Sequence, residues 1–218
     1  MEPGWKWNGL TIRVITAAGS LRDGSPCWSP FRLGKLPRLL FHDWKNKMTT
    51  IQKKICLLGD FGVGKTSVVR QFVEGRFDDK YFSTVGVKIS RKVLPRSYGE
   101  MNMLVWDLAG SNGFVSSLSD TYMQGAAGAL IVCDLTRLDT LIALENYARQ
   151  IRSTNPGIQL VFVGNKVDLT EKRAISDLDL LIKLSAVGET TLFLTSAKTG
   201  EQVEEAFIRL AEKIEEGM

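Results

Sequence analysis

The chain has 218 residues, 44% of them hydrophobic, enough for about one domain with a single closed core. No apolar run reaches the ~18 residues of a membrane span, the three cysteines are too few and scattered for a disulfide framework or zinc site, and a lone histidine, His42, leaves little room for histidine chemistry. The formal charge of +4 (28 basic, 24 acidic) divides unevenly: residues 1–47 hold eight basic and three acidic residues, or +5, and the remaining 20 and 21 give −1, so the body has no net basicity to draw a polyanion.

Residues 1–47 also hold four of the five tryptophans and four of the six prolines, without helix or strand periodicity. They read as an atypical N-terminal extension. Three accounts compete: a removable targeting peptide, a partner-binding extension, or translated upstream sequence with the native start at Met48. Sparse serine and the lack of an apolar segment with a small-residue cleavage site weigh against targeting, and the upstream start is favoured.

From Ile51 the pattern becomes regular. Ile55 to Leu58 reads as a buried strand and Lys65 to Glu74 as a helix. Val85 to Leu94 and Met101 to Trp106 read as a hairpin, with Pro95 to Glu100 as its connector. Ala129 to Cys133, Leu160 to Val163 and Leu192 to Leu194 are further strands, separated by helical stretches near 140–153, 175–186 and 202–215. This alternation predicts an α/β fold, a mostly parallel sheet with helices on both faces and ligand loops at the carboxyl ends of its strands.

The motifs fall at those strand ends. Gly59-Asp60-Phe61-Gly62-Val63-Gly64-Lys65-Thr66 matches G-x-x-x-x-G-K-[ST] between a strand and a helix, the pattern of a P-loop. Its glycines allow a tight turn in which the backbone N–H groups of about 62–67, up to Ser67, point at phosphates. The helix N-terminus adds positive potential, Lys65 a point charge, and Thr66 a hydroxyl for Mg²⁺. This cradle does not choose a base and would suit an ATP-dependent enzyme equally.

Asn165-Lys166-Val167-Asp168 does choose. The Asp168 carboxylate can accept two hydrogen bonds, from N1–H and the exocyclic amine of guanine, and adenine would leave it unsatisfied. Thr195-Ser196-Ala197-Lys198 ends another strand and can offer a backbone N–H to the guanine O6, with Lys166 and Lys198 covering the ring faces. Each tetrapeptide alone is weak, and their order behind a P-loop makes them strong.

With these motifs the chain from about Met48 to Ile214 resembles a Ras-superfamily small GTPase of the Rab-like branch. The resemblance implies a P-loop NTPase G domain with six strands over 48–218, GTP and GDP as ligands, Mg²⁺, and a two-state switch. It implies that Thr84 binds Mg²⁺ and the γ-phosphate in the GTP state, that Phe77 packs against guanine, and that Tyr81 closes over the phosphates. Asp107 would be the carboxylate behind Mg²⁺, with the Gly110 amide the donor to the γ-phosphate. Lys65, Thr84, Gly110 and Ser111 are then the residues nearest the chemistry. Effectors and regulators would dock through residues 76–89 and 107–125, where Trp106 and Tyr122 match two members of an aromatic triad and Ile89 replaces the third.

The sequence departs from that family in several places. Ser111 stands where a water-orienting glutamine is usual, and Asn112 follows it in place of glutamate. Phe61 fills a P-loop position usually small, and one extra residue lies between Gly110 and Gly125. Both Ser111 and Phe61 point to slow turnover and insensitivity to a conventional activating protein. No cysteine lies beyond Cys133 and no myristoylation glycine follows Met1 or Met48, so a cytoplasmic monomer without its own lipid anchor is expected. Three rivals remain: a GTP-binding scaffold that scarcely hydrolyses, an ATP-using transferase, and nucleic-acid binding through residues 1–47.

Overall fold

The computed structural model describes residues 49–78, 84–96, 99–110 and 116–218. The extension at 1–47, the start at Met48, Tyr81, Ser111 and Asn112 lie outside the described residues.

Among the described residues six strands, β1 (Thr49–Leu58), β2 (Val87–Arg96), β3 (Gly99–Leu108), β4 (Gly128–Asp134), β5 (Gln159–Asn165) and β6 (Leu192–Thr195), form one sheet in the order β2-β3-β1-β4-β5-β6. Every neighbouring pair is parallel except the β2–β3 hairpin. The α/β sheet read from the sequence is thus present.

Among the described residues five α-helices accompany it: α1 (Lys65–Glu74), α2 (Ser116–Met123), α3 (Leu138–Thr154), α4 (Asp177–Ala186) and α5 (Val203–Glu216). Strand alternation splits the core into two layers. Ile55, Leu57, Met103 and Val105 face α1 and α5, where the rings of Phe72 and Phe207 stack 3.8 Å apart at an interplanar angle of 6°. Cys56, Leu58, Ile131 and Phe162 face the opposite side with Leu144, Ile151, Leu180 and Leu184 of α3 and α4. β4 is buried along its whole length. Covered on both faces, it reads as an unbroken apolar run, as parallel strands do.

Several bounds differ from the sequence reading, β2 beginning at Val87 and not Val85 and β3 running to Leu108 and not Trp106, and three differences have a structural reason. The hairpin connector shrinks, because Pro95 pairs with Glu100 and Arg96 with Gly99 in the ladder. Proline is tolerated there because β2 lies at the edge of the sheet, where a missing N–H removes no interior bond. β1 begins at Thr49, its polar first half held by pairing with β3 from Gly99 onward. The short helix α2, Ser-Ser-Leu-Ser-Asp-Thr-Tyr-Met, has too little apolar periodicity to announce itself.

Candidate nucleotide site

The loops after β1, β3, β5 and β6 meet at the carboxyl edge of the sheet around a cavity of about 340 Å³. Phe61, Gly62, Gly64, Lys65, Thr66, Ser67, Phe77, Thr84, Gly110, Asn165, Lys166, Asp168, Ala197 and Lys198 all line it. Of the other expected residues, Asp107 and Ser196 hold lining residues by hydrogen bonds, and Gly59, Asp60 and Val63 form the P-loop backbone behind.

At the phosphate end, Lys65 is 6% exposed and its ammonium donates to the Gly59 and Asp60 carbonyls at 2.8 and 2.9 Å. Burial pushes its pKa down to about 8, against the pull of Asp107 and Asp60. The Thr66 hydroxyl donates to Asp107 Oδ2 at 2.5 Å and lies 2.7 Å from the Thr84 hydroxyl. Asp107 Oδ1 is buried without a hydrogen-bond partner among the described residues, and burial raises that carboxyl against the Thr66 bond and the nearby Lys65. Two hydroxyls and a carboxylate with an unspent oxygen suit Mg²⁺, a hard cation that takes oxygen ligands and keeps phosphate and water in its remaining positions. Among the described residues no cluster of three His, Cys, Asp or Glu could hold a metal unaided.

The P-loop is braced from three sides. Gly110 abuts it so closely that a Cβ there would sit 2.4 Å from the Phe61 nitrogen. Arg137, at the start of α3, donates to the Phe61 carbonyl at 2.9 Å, and the Tyr147 hydroxyl donates to Asp60 Oδ1 at 2.8 Å. Phe61 itself is 40% exposed at the cavity rim.

Asn165 joins the two ends. Its amide donates to the Val63 carbonyl at 2.9 Å, and its Oδ1 accepts from the Ala197 N–H and the Thr195 hydroxyl, each at 3.2 Å. Gly64, at φ 99°, leaves room for it, since a Cβ there would fall 2.3 Å from Asn165 Nδ2. Beyond Asn165, Ser196 donates its hydroxyl to Asp168 Oδ1 at 2.6 Å and accepts the Thr199 N–H, which fixes the carboxylate. Lys166, at φ 70°, pairs with buried Asp134 at 2.6 Å.

Sequence reasoning missed several participants. Asp134 was legible only as the first charge after an apolar strand. Leu108, Ala109 and Leu169 line the cavity as neighbours of recognised motif residues, and so does the ion pair of Arg70 with Asp78 at 3.2 Å. Arg137 and Tyr147 carried no motif signal. Trp106 and Tyr122 do meet, their rings 6.3 Å apart, and Ile89 is the ladder partner of Trp106.

The chain matches the Ras family over residues 54–216. It is 37% identical over 169 residues to the Ras-related protein Rab-22A of Mus musculus, covering 77% of this chain and 86% of that protein. It is 34% identical to Rab-1C of Dictyostelium discoideum (74% and 80% covered) and 38% identical to Rab-4A of Danio rerio (74% and 75%). With the P-loop, the Asn165–Asp168 loop and the sheet order in place, the chain belongs to the Ras family, as a Rab-like small GTPase.

Proposed function

We propose that this protein binds GTP and GDP in the cavity described and hydrolyses GTP slowly to GDP and phosphate. One observation supports the reading above the rest: Lys65, Thr66 and Asp168 line a single cavity, with Asp107 held behind Thr66 and Asn165 bonded to the P-loop and to the loop after β6.

Asp168, oriented by Ser196, accepts the guanine N1–H and amine. Phe77, Lys166 and Lys198 flank the ring. Backbone N–H groups from Gly62 to Ser67 hold the phosphates, and Lys65 offsets charge that develops on their oxygens. Thr66, Thr84 and Asp107 would hold Mg²⁺, which when bound supplies positive charge to the β- and γ-phosphate oxygens. The Gly110 amide reports the γ-phosphate to the second switch, and a water is the nucleophile. Ser111 is too short to aim that water as a glutamine would, and Phe61 brings a ring to the phosphate end. Effector and regulatory proteins then read residues 76–89 and 107–125, with Ile89, Trp106 and Tyr122 as an apolar meeting point. The body proposed to do this is 48–218, and among the described residues no helix is long and apolar enough to cross a membrane.

Nucleotide competition and single-turnover hydrolysis test this together. Guanine nucleotide outcompetes adenine nucleotide in the wild type, and Asp168→Asn loses about 1–3 kcal/mol of guanine affinity, a factor of roughly 5 to 150. Phe61→Gly and Ser111→Gln speed hydrolysis by roughly ten- to a hundredfold. ATP bound as tightly as GTP refutes the binding reading. A wild type as fast as relatives bearing the glutamine refutes slow turnover, and no phosphate release from any variant identifies a scaffold.

A further inference from the structure

Asp134, the last residue of β4, is a charged side chain with no exposed surface and no place in the cavity lining. Both its carboxylate oxygens are engaged. Oδ1 accepts the Thr136 N–H at 2.9 Å and the Thr136 hydroxyl at 2.7 Å, and Oδ2 accepts the Lys166 ammonium at 2.6 Å. Its backbone is fixed as well: the Asp134 N–H donates to the Thr140 hydroxyl of α3 at 3.0 Å, and Asp134 is the ladder partner of Asn165.

A buried ion pair is a weak device for stability, because taking two charges out of water costs about as much as their attraction returns. This pair stands at the boundary between the core and the cavity. Lys166 lines the cavity and its side chain is 32% exposed, so water could solvate its ammonium without the aspartate. The pair therefore does more to hold Lys166 in one place than to hold the fold together.

Lys166 also needs holding. Its φ of 70° lies in the left-handed region, which side chains other than Gly, Asn and Asp rarely adopt. Such a conformation persists where its surroundings over-determine it, and it gathers at ligand clamps. Before Lys166, the Leu135 N–H donates to the Asn165 carbonyl at 3.0 Å; after it, the Val167 N–H donates to the Thr195 carbonyl at 3.1 Å. Those bonds fix the backbone, and Asp134 fixes the side chain.

We propose that Asp134 is a positioning residue for the guanine end of the site. By holding and neutralising the Lys166 ammonium, it lays the aliphatic stem of the lysine along the purine face and keeps the Asn165–Asp168 loop in its binding shape. Asp134 thereby sets how long a guanine nucleotide stays, while Asp168 sets which base is taken. The proposal rests on the reading that the purine lies between Asp168 and Lys166.

The test uses the full chain loaded with fluorescent guanosine diphosphate and chased with unlabelled nucleotide. Asp134→Asn, which is isosteric and keeps an acceptor for Thr136, should raise the dissociation rate about tenfold. GTP should leave faster by the same factor, because the change lies at the base end, and the preference for guanine over adenine should stay. A double-mutant cycle separates positioning from general loosening: in a Lys166→Met background, Asp134→Asn should add less than about twofold, read at a temperature where all four proteins are folded. Glu145→Gln, which breaks ion pairs with Arg149 and Lys183 and does not line the cavity, should leave the rate unchanged. If Asp134→Asn does not fold by circular dichroism, Asp134→Glu, which keeps the charge and shifts it by one methylene, should speed release in the same direction. An unchanged rate in the folded variant overturns the proposal while the nucleotide reading stands. So does a rise confined to GDP or to GTP, an effect of full size in the Lys166→Met background, an equal rise in Glu145→Gln, or a loss of guanine preference. A wild type that binds no guanine nucleotide overturns both.

Discussion

Cys56 and Cys133 occupy adjacent strands, β1 and β4, with no exposed surface. Burial pushes both thiols from 9.0 up to about 12; Lys54 opposes the rise at Cys56 and Asp134 adds to it at Cys133. In the unfolded chain the same thiols ionise near pH 9 while the folded ones stay protonated. Their contribution to stability is therefore complete below pH 9 and is lost as pH rises from about 9 toward 12. Denaturation between about pH 8 and 10.5 should show the wild type losing stability faster than Cys56→Ala/Cys133→Ala, by about 1.4 kcal/mol per pH unit per thiol once past pH 9. A gap between the two that stays constant with pH contradicts this. Phe61 is the opposite case at the same scale, a large apolar ring left at a cavity rim, and its identity was visible in the sequence as a departure at a position usually small.

At the scale of elements, the loops after β1, β5 and β6 act as one because Asn165 bridges them. Asn165→Ala leaves the Val63 carbonyl, the Ala197 N–H and the Thr195 hydroxyl without that partner, a cost of about 1–3 kcal/mol. If the bridge positions the site, guanine nucleotide also dissociates faster from this variant at a temperature where it remains folded; an unchanged off-rate would leave Asn165 with a purely architectural part. The motif placed Asn165 beside Asp168 in sequence but did not say what its amide touches, since the partners come from residues 63, 195 and 197. The β2–β3 boundaries were legible only in part for a similar reason: Pro95 and Gly99 look like turn residues, and an edge position in the sheet is what lets them stay in the ladder.

Across the whole molecule, α5 is the strap that holds the far face of the sheet. Phe207 stacks on Phe72 of α1, Leu210 and Ile214 press against Gly128 of β4, where a Cβ would come within 2.9 Å of both, and Glu215 ties down Arg96 at the end of β2. Phe207→Ala should cost about 3–5 kcal/mol in chemical denaturation, because a fully buried ring leaves a cavity among rigid neighbours. Preference for guanine over adenine should survive while the protein remains folded, as Phe207 lies on the α1–α5 layer and does not line the nucleotide cavity. A selective loss of guanine preference without loss of stability would overturn this assignment.

The sequence by itself determined the strand–helix alternation, the P-loop and the two loops that carry Asp168 and Lys198, because each is a local pattern whose backbone conformation and chemistry reside in consecutive residues. Tertiary structure alone decided that Asn165 bridges to Val63, that Asp134 holds Lys166, that Tyr147 and Arg137 reach Asp60 and Phe61, and that Lys88, Arg91 and Lys92 of β2 form no ion pair among the described residues. Those pairings join residues 32 to 102 positions apart, or depend on which strand lies at the edge. The periodicity of a chain says which side of an element turns inward, and only packing says what it meets there.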